Sequence, residues 1–289
     1  MIKKGFLHIG IFFLYLLSLL PLSLLHLFAK VLYILLYDVI GYRKKVVRNN
    51  LTKSFPEKSL TEIIKIEKTF FRYLAALVFE IIKMSTITKS ELKKRVKFHN
   101  LDRIETYFAK GESVLACTGH YGNWELCMLG LGVNASATAH VIYKPLGNET
   151  FENWFHQIRT RYGNVFVAMR QTLRMVVATK SQPTMFCFAS DQTPVREEIQ
   201  YTLEFLHQPT AALLGLEKIA LQTNRPVFYF DVISVKNGYY EIDCLPLCLA
   251  PKESNDHEIT DLFFDFLTQT INRDPAYWLW SHRRWKLNG

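Results

Sequence analysis

Glycine and proline are scarce, at 13 and 10 of 289 residues, and aromatic side chains make up 14% of the chain, which excludes a disordered or collagen-like protein. Cysteine is sparse and odd in number. Cys117, Cys127, Cys187, Cys244 and Cys248 lie mostly in apolar runs without Cys-x-x-Cys spacing, so neither a disulfide scaffold nor a cysteine zinc site is expected. They read as buried thiols of a reducing compartment. Finger, RNP and helix-turn-helix signals are missing, so nucleic acid is not the expected partner of the basic excess. No internal repeat or low-complexity tract occurs. What is abundant is apolar material: 49% of residues, enough for one large domain or two small ones.

Acidic residues are outnumbered 26 to 35, and the imbalance is local. Residues 43–103 carry sixteen Lys/Arg against six Asp/Glu, whereas residues 104–289 carry sixteen against nineteen. The basic block directly follows the most apolar stretch. From Gly5 to Phe28 there is no charged side chain, and ten Leu, four Phe and two Ile outweigh His8, Pro21 and His26. A helix of that length crosses a hydrocarbon core, and no small-x-small cleavage site follows it, so a membrane anchor is expected rather than a signal peptide. The competing reading is a buried helix, or a broken hairpin lying in the interface with Pro21 as its kink. Lys3 and Lys4 precede the run, while Lys30, Arg43, Lys44, Lys45 and Arg48 follow it, which favours a cytoplasmic body. A further apolar stretch from Val31 to Tyr37 blurs the end of the span. Basic charge beside an apolar anchor suits anionic lipid.

Beyond the anchor the pattern alternates. Apolar residues at helical spacing predict a helix over 60–84 with Thr61 as its cap, and further helices near 102–109, 149–162, 170–180, 211–223 and 256–273. A basic linker is expected around Lys93–Lys97. Strands are predicted at Ser113–Cys117, Ala137–Tyr143, Thr184–Ala189 and Pro226–Val235, with Asn237-Gly238 turning the chain into Tyr239–Leu247. The fold class is therefore α/β, a mixed and mainly parallel sheet flanked by helices, behind an N-terminal membrane-anchor helix.

The chemistry concentrates at Thr118-Gly119-His120-Tyr121-Gly122-Asn123-Trp124-Glu125. It follows a predicted strand and opens a helix with Asn123 as N-cap, where open α/β sheets place their sites. If the loop folds back, Glu125 meets His120, fixes one tautomer and stabilises the imidazolium, and the pair removes a proton from an alcohol. The structural alternative makes His120 a satisfied loop residue and Glu125 a complement to the helix dipole. Two further readings stand: a metal site, which lacks an evident third ligand, and a Cys117 nucleophile, whose apolar strand argues for burial.

A His-x4-Glu pair after a short strand, behind an apolar anchor, resembles the lysophospholipid acyltransferase superfamily, and within it the bacterial lipid A secondary (lauroyl/myristoyl) acyltransferases. Three more blocks resemble that family in order: Arg159-Thr160-Arg161-Tyr162-Gly163, Ser190-Asp191-Gln192-Thr193-Pro194, and Trp278-Leu279-Trp280-Ser281-His282-Arg283-Arg284-Trp285-Lys286. One block departs, since Leu206-His207-Gln208-Pro209-Thr210 stands where the family has a glycine-containing turn. The resemblance implies an anchor over residues 1–40 and an acyltransferase domain over 41–289, moving a fatty acyl chain from acyl carrier protein to a hydroxyl of a lipid A precursor at the cytoplasmic face of the inner membrane. No metal or other cofactor is implied. His120 is then the base and Glu125 its partner. Arg159 or Arg161 binds acceptor phosphate or a developing oxyanion, and Asp191, Gln192 and Asn123 shape the substrate pocket. For both arginines the alternative is salt-bridging at a helix end; for Asp191-Gln192 it is a turn cap. The Trp-rich block reads either as lipid headgroup contact or as a docked segment. The basic face suits anionic lipid or the acidic carrier protein. Rivals are a same-superfamily enzyme with a lysophospholipid, aminolipid or aryl-polyene acceptor, a Cys117-dependent esterase or thioesterase, and a non-catalytic membrane scaffold.

Overall fold

Pro21 divides the apolar N-terminal run. The computed structural model describes residues 2–287, with side chains except at positions 2–4, 6 and 198, so the charges of Lys3 and Lys4 fall outside it. Helix α1 (Ile2–Leu19) ends just before Pro21, and α2 (Leu22–Ile34) begins just after it, running on as a π-type turn through Leu35–Val39. Proline lacks the N–H needed to continue α1, and at ψ 143° it redirects the chain. The unbroken helix expected from Gly5 to Phe28 is therefore two helices. One stretch among the described residues, Leu22–Val39, is long and apolar enough to cross a membrane.

Both helices lie on the body. After α3 (Lys44–Ser54), the long α4 (Leu60–Lys83) packs along α2, with Ala29 set against Ala75 and Ala76. Small residues there let the two backbones approach. Lys83 Nζ donates to the carbonyls of Ser18 and Leu20, both at 3.0 Å, placing a cation at the negative end of α1. The other faces are bare: Phe13 is 62% exposed, Val31 57% and Val39 68%. Helix α4 starts at Ser59, not Thr61, through a reciprocal capping box with Glu62.

The remaining elements alternate. They run α5 (Lys89–Arg95), β1 (Val96–His99), α6 (Leu101–Ala109), β2 (Val114–Thr118), α7 (Trp124–Asn134), β3 (Thr138–Tyr143), α8 (Glu149–Thr160) and β4 (Val165–Ala168). Next come α9 (Thr172–Ala178), β5 (Thr184–Ala189), β6 (Thr202–Phe205), β7 (Gln208–Ala211), α10 (Gly215–Thr223), β8 (Val227–Lys236), β9 (Tyr239–Cys248) and α11 (Glu258–Arg273). Seven strands form one sheet in the order β1-β9-β8-β2-β5-β3-β4, parallel at every pairing except the β8–β9 hairpin. This is the mixed, mainly parallel sheet expected. The basic linker around Lys93 is instead α5 leading into β1.

Strand β2 is buried along its whole length between β8 and β5. Phe186 and Phe228 on its neighbours, with Phe263 of α11 and Phe70 and Phe71 of α4, are almost wholly buried and anchor one continuous core. The chain leaves β2 for α7 and returns to the sheet at β3, beyond β5. The space outside the ends of β2 and β5 is thus where such a sheet opens to a ligand.

β6 and β7 form a separate hairpin with the two-residue loop Leu206-His207, both at positive φ (49° and 61°). That geometry favours Gly or Asn and costs a larger residue about 1–2 kcal/mol. Leu206 is buried, so its packing offsets the strain. The glycine turn expected from the family is replaced here by a turn held through tertiary contact.

Candidate active site

His120 follows β2 by two residues, and Asp191 follows β5 by two, so adjacent parallel strands bring them together. Imidazole Nδ1 lies 2.5 Å from Asp191 Oδ1, and the backbone N–H of His120 donates to Oδ2 at 2.8 Å. A carboxylate only accepts, so the ring proton sits on Nδ1 and the Nε2 lone pair is left for chemistry. Gly119 leaves room for Leu267 of α11, whose Cδ1 would stand 2.5 Å from a Cβ there. Gly122, at φ +55°, turns the chain against Val232 and Tyr240.

The electrostatics follow. Burial alone would lower the His120 pKa, but the charge and hydrogen bond of Asp191 outweigh it and raise the imidazole above the ordinary histidine value. For Asp191, burial pushes upward. The His120 charge, the two bonds from that residue and the Trp278 N–H together bring it down to about 2. The site therefore holds a firmly ionised carboxylate behind a strengthened base.

Glu125 is not the ring's hydrogen-bond partner. It accepts both Nε (2.8 Å) and Nη2 of Arg159, a bidentate pair in which each side chain is about nine-tenths buried (11% and 10% exposed). Consecutive helical residues diverge by about 100°. In the first turn of α7, Trp124 therefore meets the His120 ring edge-on at 5.0 Å while Glu125 turns to α8. The charge of Glu125 still raises the His120 pKa, as a smaller contribution than that of Asp191. The Arg159 guanidinium also lies over Phe155, Phe166 and Tyr143, at 4.1, 5.0 and 5.4 Å from their ring centroids. Its strongest carboxylate-binding edge is taken, so it acts first on Glu125.

The other expected substrate contacts also resolve into particular partners. Arg161 Nη1 donates to the Met84 carbonyl at 2.6 Å, at the end of α4. Asn123 is fully buried: its Oδ1 caps α7 by accepting from Leu126 N–H, and its Nδ2 donates to Glu80 at 2.9 Å. Glu80 also receives Tyr240 (2.7 Å) and faces His26 of α2 (3.2 Å), tying the apolar helix to the loop that carries His120. Tyr73 of α4 donates to the Gly122 carbonyl at 2.6 Å. Gln192 reaches His120 Nε2, at 3.0 Å. Cys117 is 1% exposed, and burial raises its thiol well above the usual value, so it offers no ready thiolate.

Sequence reasoning missed the role of the Trp278 block. Trp278 and Trp280 are buried, which ends their reading as headgroup contacts. Trp278 Nε1 donates to Asp191 Oδ2 at 2.8 Å, Leu279 N–H donates to the His120 carbonyl, and Gly122 N–H to that of Tyr277. One segment thus fixes both the base and its carboxylate. The signal was available, since a buried indole N–H requires an acceptor. Asn50 and Arg43 hold this segment from the other side, through the carbonyls of Trp280, His282 and Ser281. Burial pushes the His282 imidazole down to about 4, so it stays neutral and accepts from Thr193. Trp278→Phe keeps an aromatic ring but removes one donor from an ionised carboxylate. A hydrogen bond of that type is worth about 1.5–3 kcal/mol, so turnover should fall roughly 10- to 100-fold with secondary structure retained, as read by initial rates and circular dichroism.

His120, Asp191, Gln192, Trp278, Leu279 and His282 line one narrow crevice, too tight in this state to admit a water molecule. A larger cleft of about 550 Å³, lined by Ser54, Phe55, His207, Asp265 and their neighbours, contains none of these groups and no histidine–carboxylate bond. The chemistry marks the narrow crevice. Among the described residues no cluster has the composition of a metal site.

Residues 1–287 match the family model for bacterial lipid A biosynthesis acyltransferases. The chain is also 23% identical over 240 residues to a lipid A biosynthesis acyltransferase of Haemophilus influenzae, an alignment covering 82% of this chain and 74% of that relative. With the match running from the apolar helices through the Trp278 segment, the chain belongs to the bacterial lipid A biosynthesis acyltransferase family and is an acyltransferase.

Proposed function

We propose that the protein transfers a fatty acyl chain from acyl carrier protein to a hydroxyl of a lipid A precursor, with His120 as general base and Asp191 as the group that orients it. The observation that carries this reading is the His120–Asp191 bond, which leaves Nε2 as an acceptor facing the Gln192 side chain in a narrow crevice. The acceptor oxygen attacks the thioester carbonyl as its proton passes to Nε2. The C–S bond then breaks, and the imidazolium returns the proton to the departing sulfur, which leaves as a thiol. Asp191 stabilises the imidazolium in between. Glu125 and Arg159 support the wall of the site through Trp124 and α7.

The same reading sets the protein against a membrane. Apolar side chains bare on α1 and α2 form a surface too extensive to leave in water, and exposed Lys45 and Lys53 on α3 follow directly. We assign this face to the cytoplasmic side of the inner membrane, with anionic lipid beneath it and the carrier protein arriving from solution. The test is mass spectrometry of lipid A from cells lacking the gene, restored with wild type or His120→Ala. Loss of one acyl chain, restored by wild type alone, is the expected result. Unchanged lipid A in the deleted strain overturns the acceptor.

A further inference from the structure

Both nitrogens of His120 are already partnered. Nδ1–H is held by Asp191, and the Nε2 lone pair meets the side-chain nitrogen of Gln192 at 3.0 Å. A neutral ring with its proton on Nδ1 can only accept at Nε2, so the Gln192 amide donates. The backbone around Gln192 is fixed. Asp191 is bound on one side, and on the other Thr193 Oγ1 donates to the Arg284 carbonyl at 2.6 Å. The half-buried Gln192 side chain itself keeps three rotatable bonds.

The acceptor hydroxyl must deliver its hydrogen to this same lone pair. We propose that Gln192 is a displaceable cap on the base: its amide occupies Nε2 until the acceptor hydroxyl takes its place, and so keeps water from attacking a bound acyl thioester. This rests on the His120-based acyl transfer proposed above. With Nε2 open, water could serve as the nucleophile. Its oxygen would bond to the acyl carbon, the C–S bond would break, and the proton would pass through His120 to the leaving sulfur, giving free fatty acid and thiol. An amide suits the task in both states of the ring. A half-turn of the amide presents Oε1 to an imidazolium N–H as readily as Nε2–H to the neutral lone pair.

The experiment uses the full-length protein in detergent, lauroyl- or myristoyl-carrier thioester as donor, and a lipid A precursor with free 3-hydroxyacyl chains as acceptor. Gln192→Ala opens the space, and Gln192→Met fills it without a donor. Without acceptor, both should raise thioester hydrolysis roughly 2- to 10-fold over wild type, the shift expected for loss of one neutral hydrogen bond. Independently of turnover, His120 should be modified faster by diethyl pyrocarbonate in both variants, as followed by peptide mass. If transfer is intact while hydrolysis and His120 modification both stay at wild-type rates, the cap is overturned and the acyl-transfer reading stands. If the wild-type protein neither transfers nor hydrolyses the acyl group, both are overturned.

Discussion

Asp191→Asn should lower acyl transfer by roughly 10⁴-fold while leaving the fold intact, because it reverses the tautomer of the base. Oδ2 of Asp191 accepts two N–H groups, one from the His120 backbone and one from Trp278. In an asparagine the carbonyl oxygen must take that position, which leaves the amide nitrogen facing His120 Nδ1. Nδ1 then becomes the acceptor and the ring proton moves to Nε2, which can no longer take a proton from a hydroxyl. The wild-type pH profile checks the same pair. A base must be neutral to act, and His120 is raised above the ordinary 6.5, so transfer should rise with pH through a midpoint above that value. Initial rates of the purified wild type and variant across pH 5–9 decide it. A variant within tenfold of wild type would remove Asp191 from the mechanism.

The second large effect falls on stability. Glu125→Ala leaves the Arg159 guanidinium about nine-tenths buried among three aromatic rings without its bidentate carboxylate, and Glu152, which is bonded to Tyr143, reaches it through charge alone. Breaking a buried pair from one side costs about 3–5 kcal/mol. The denaturation midpoint in detergent should fall accordingly. Glu125→Leu combined with Arg159→Met should recover most of the loss, because removing both charges leaves nothing unpaired. If Glu125 worked by orienting the imidazole instead, Glu125→Ala would lose activity at nearly unchanged stability. The two outcomes separate on one denaturation curve.

Much of the fold was legible because its strands are short apolar runs bounded by turn residues. Thr184–Ala189 matches end to end, and Asn237-Gly238 marks the β8–β9 hairpin. Val165–Ala168 was not legible, since four residues carry too little periodicity. Val96–His99 was masked by the lysines around it. Leu206-His207 gave no turn signal, because its positive φ values are held by burial rather than by residue type. At the site, spacing identified His120 but suggested Glu125 as its partner on grounds of nearness in the chain. The partner at Nδ1 stands 71 residues away, across two adjacent parallel strands, where only register brings it close.

The indole that clamps Asp191 belongs to a segment held by Asn50 of α3 and by Arg43 just before it. A chain leaves the ribosome in order, so the apolar helices and α3 emerge long before Trp278. The base and its carboxylate acquire their common support only when that late segment returns to the early one. On the membrane-bound reading proposed above, a nascent chain would therefore meet the bilayer with its reaction centre unassembled. Commitment to the membrane would come before the power to acylate anything in it.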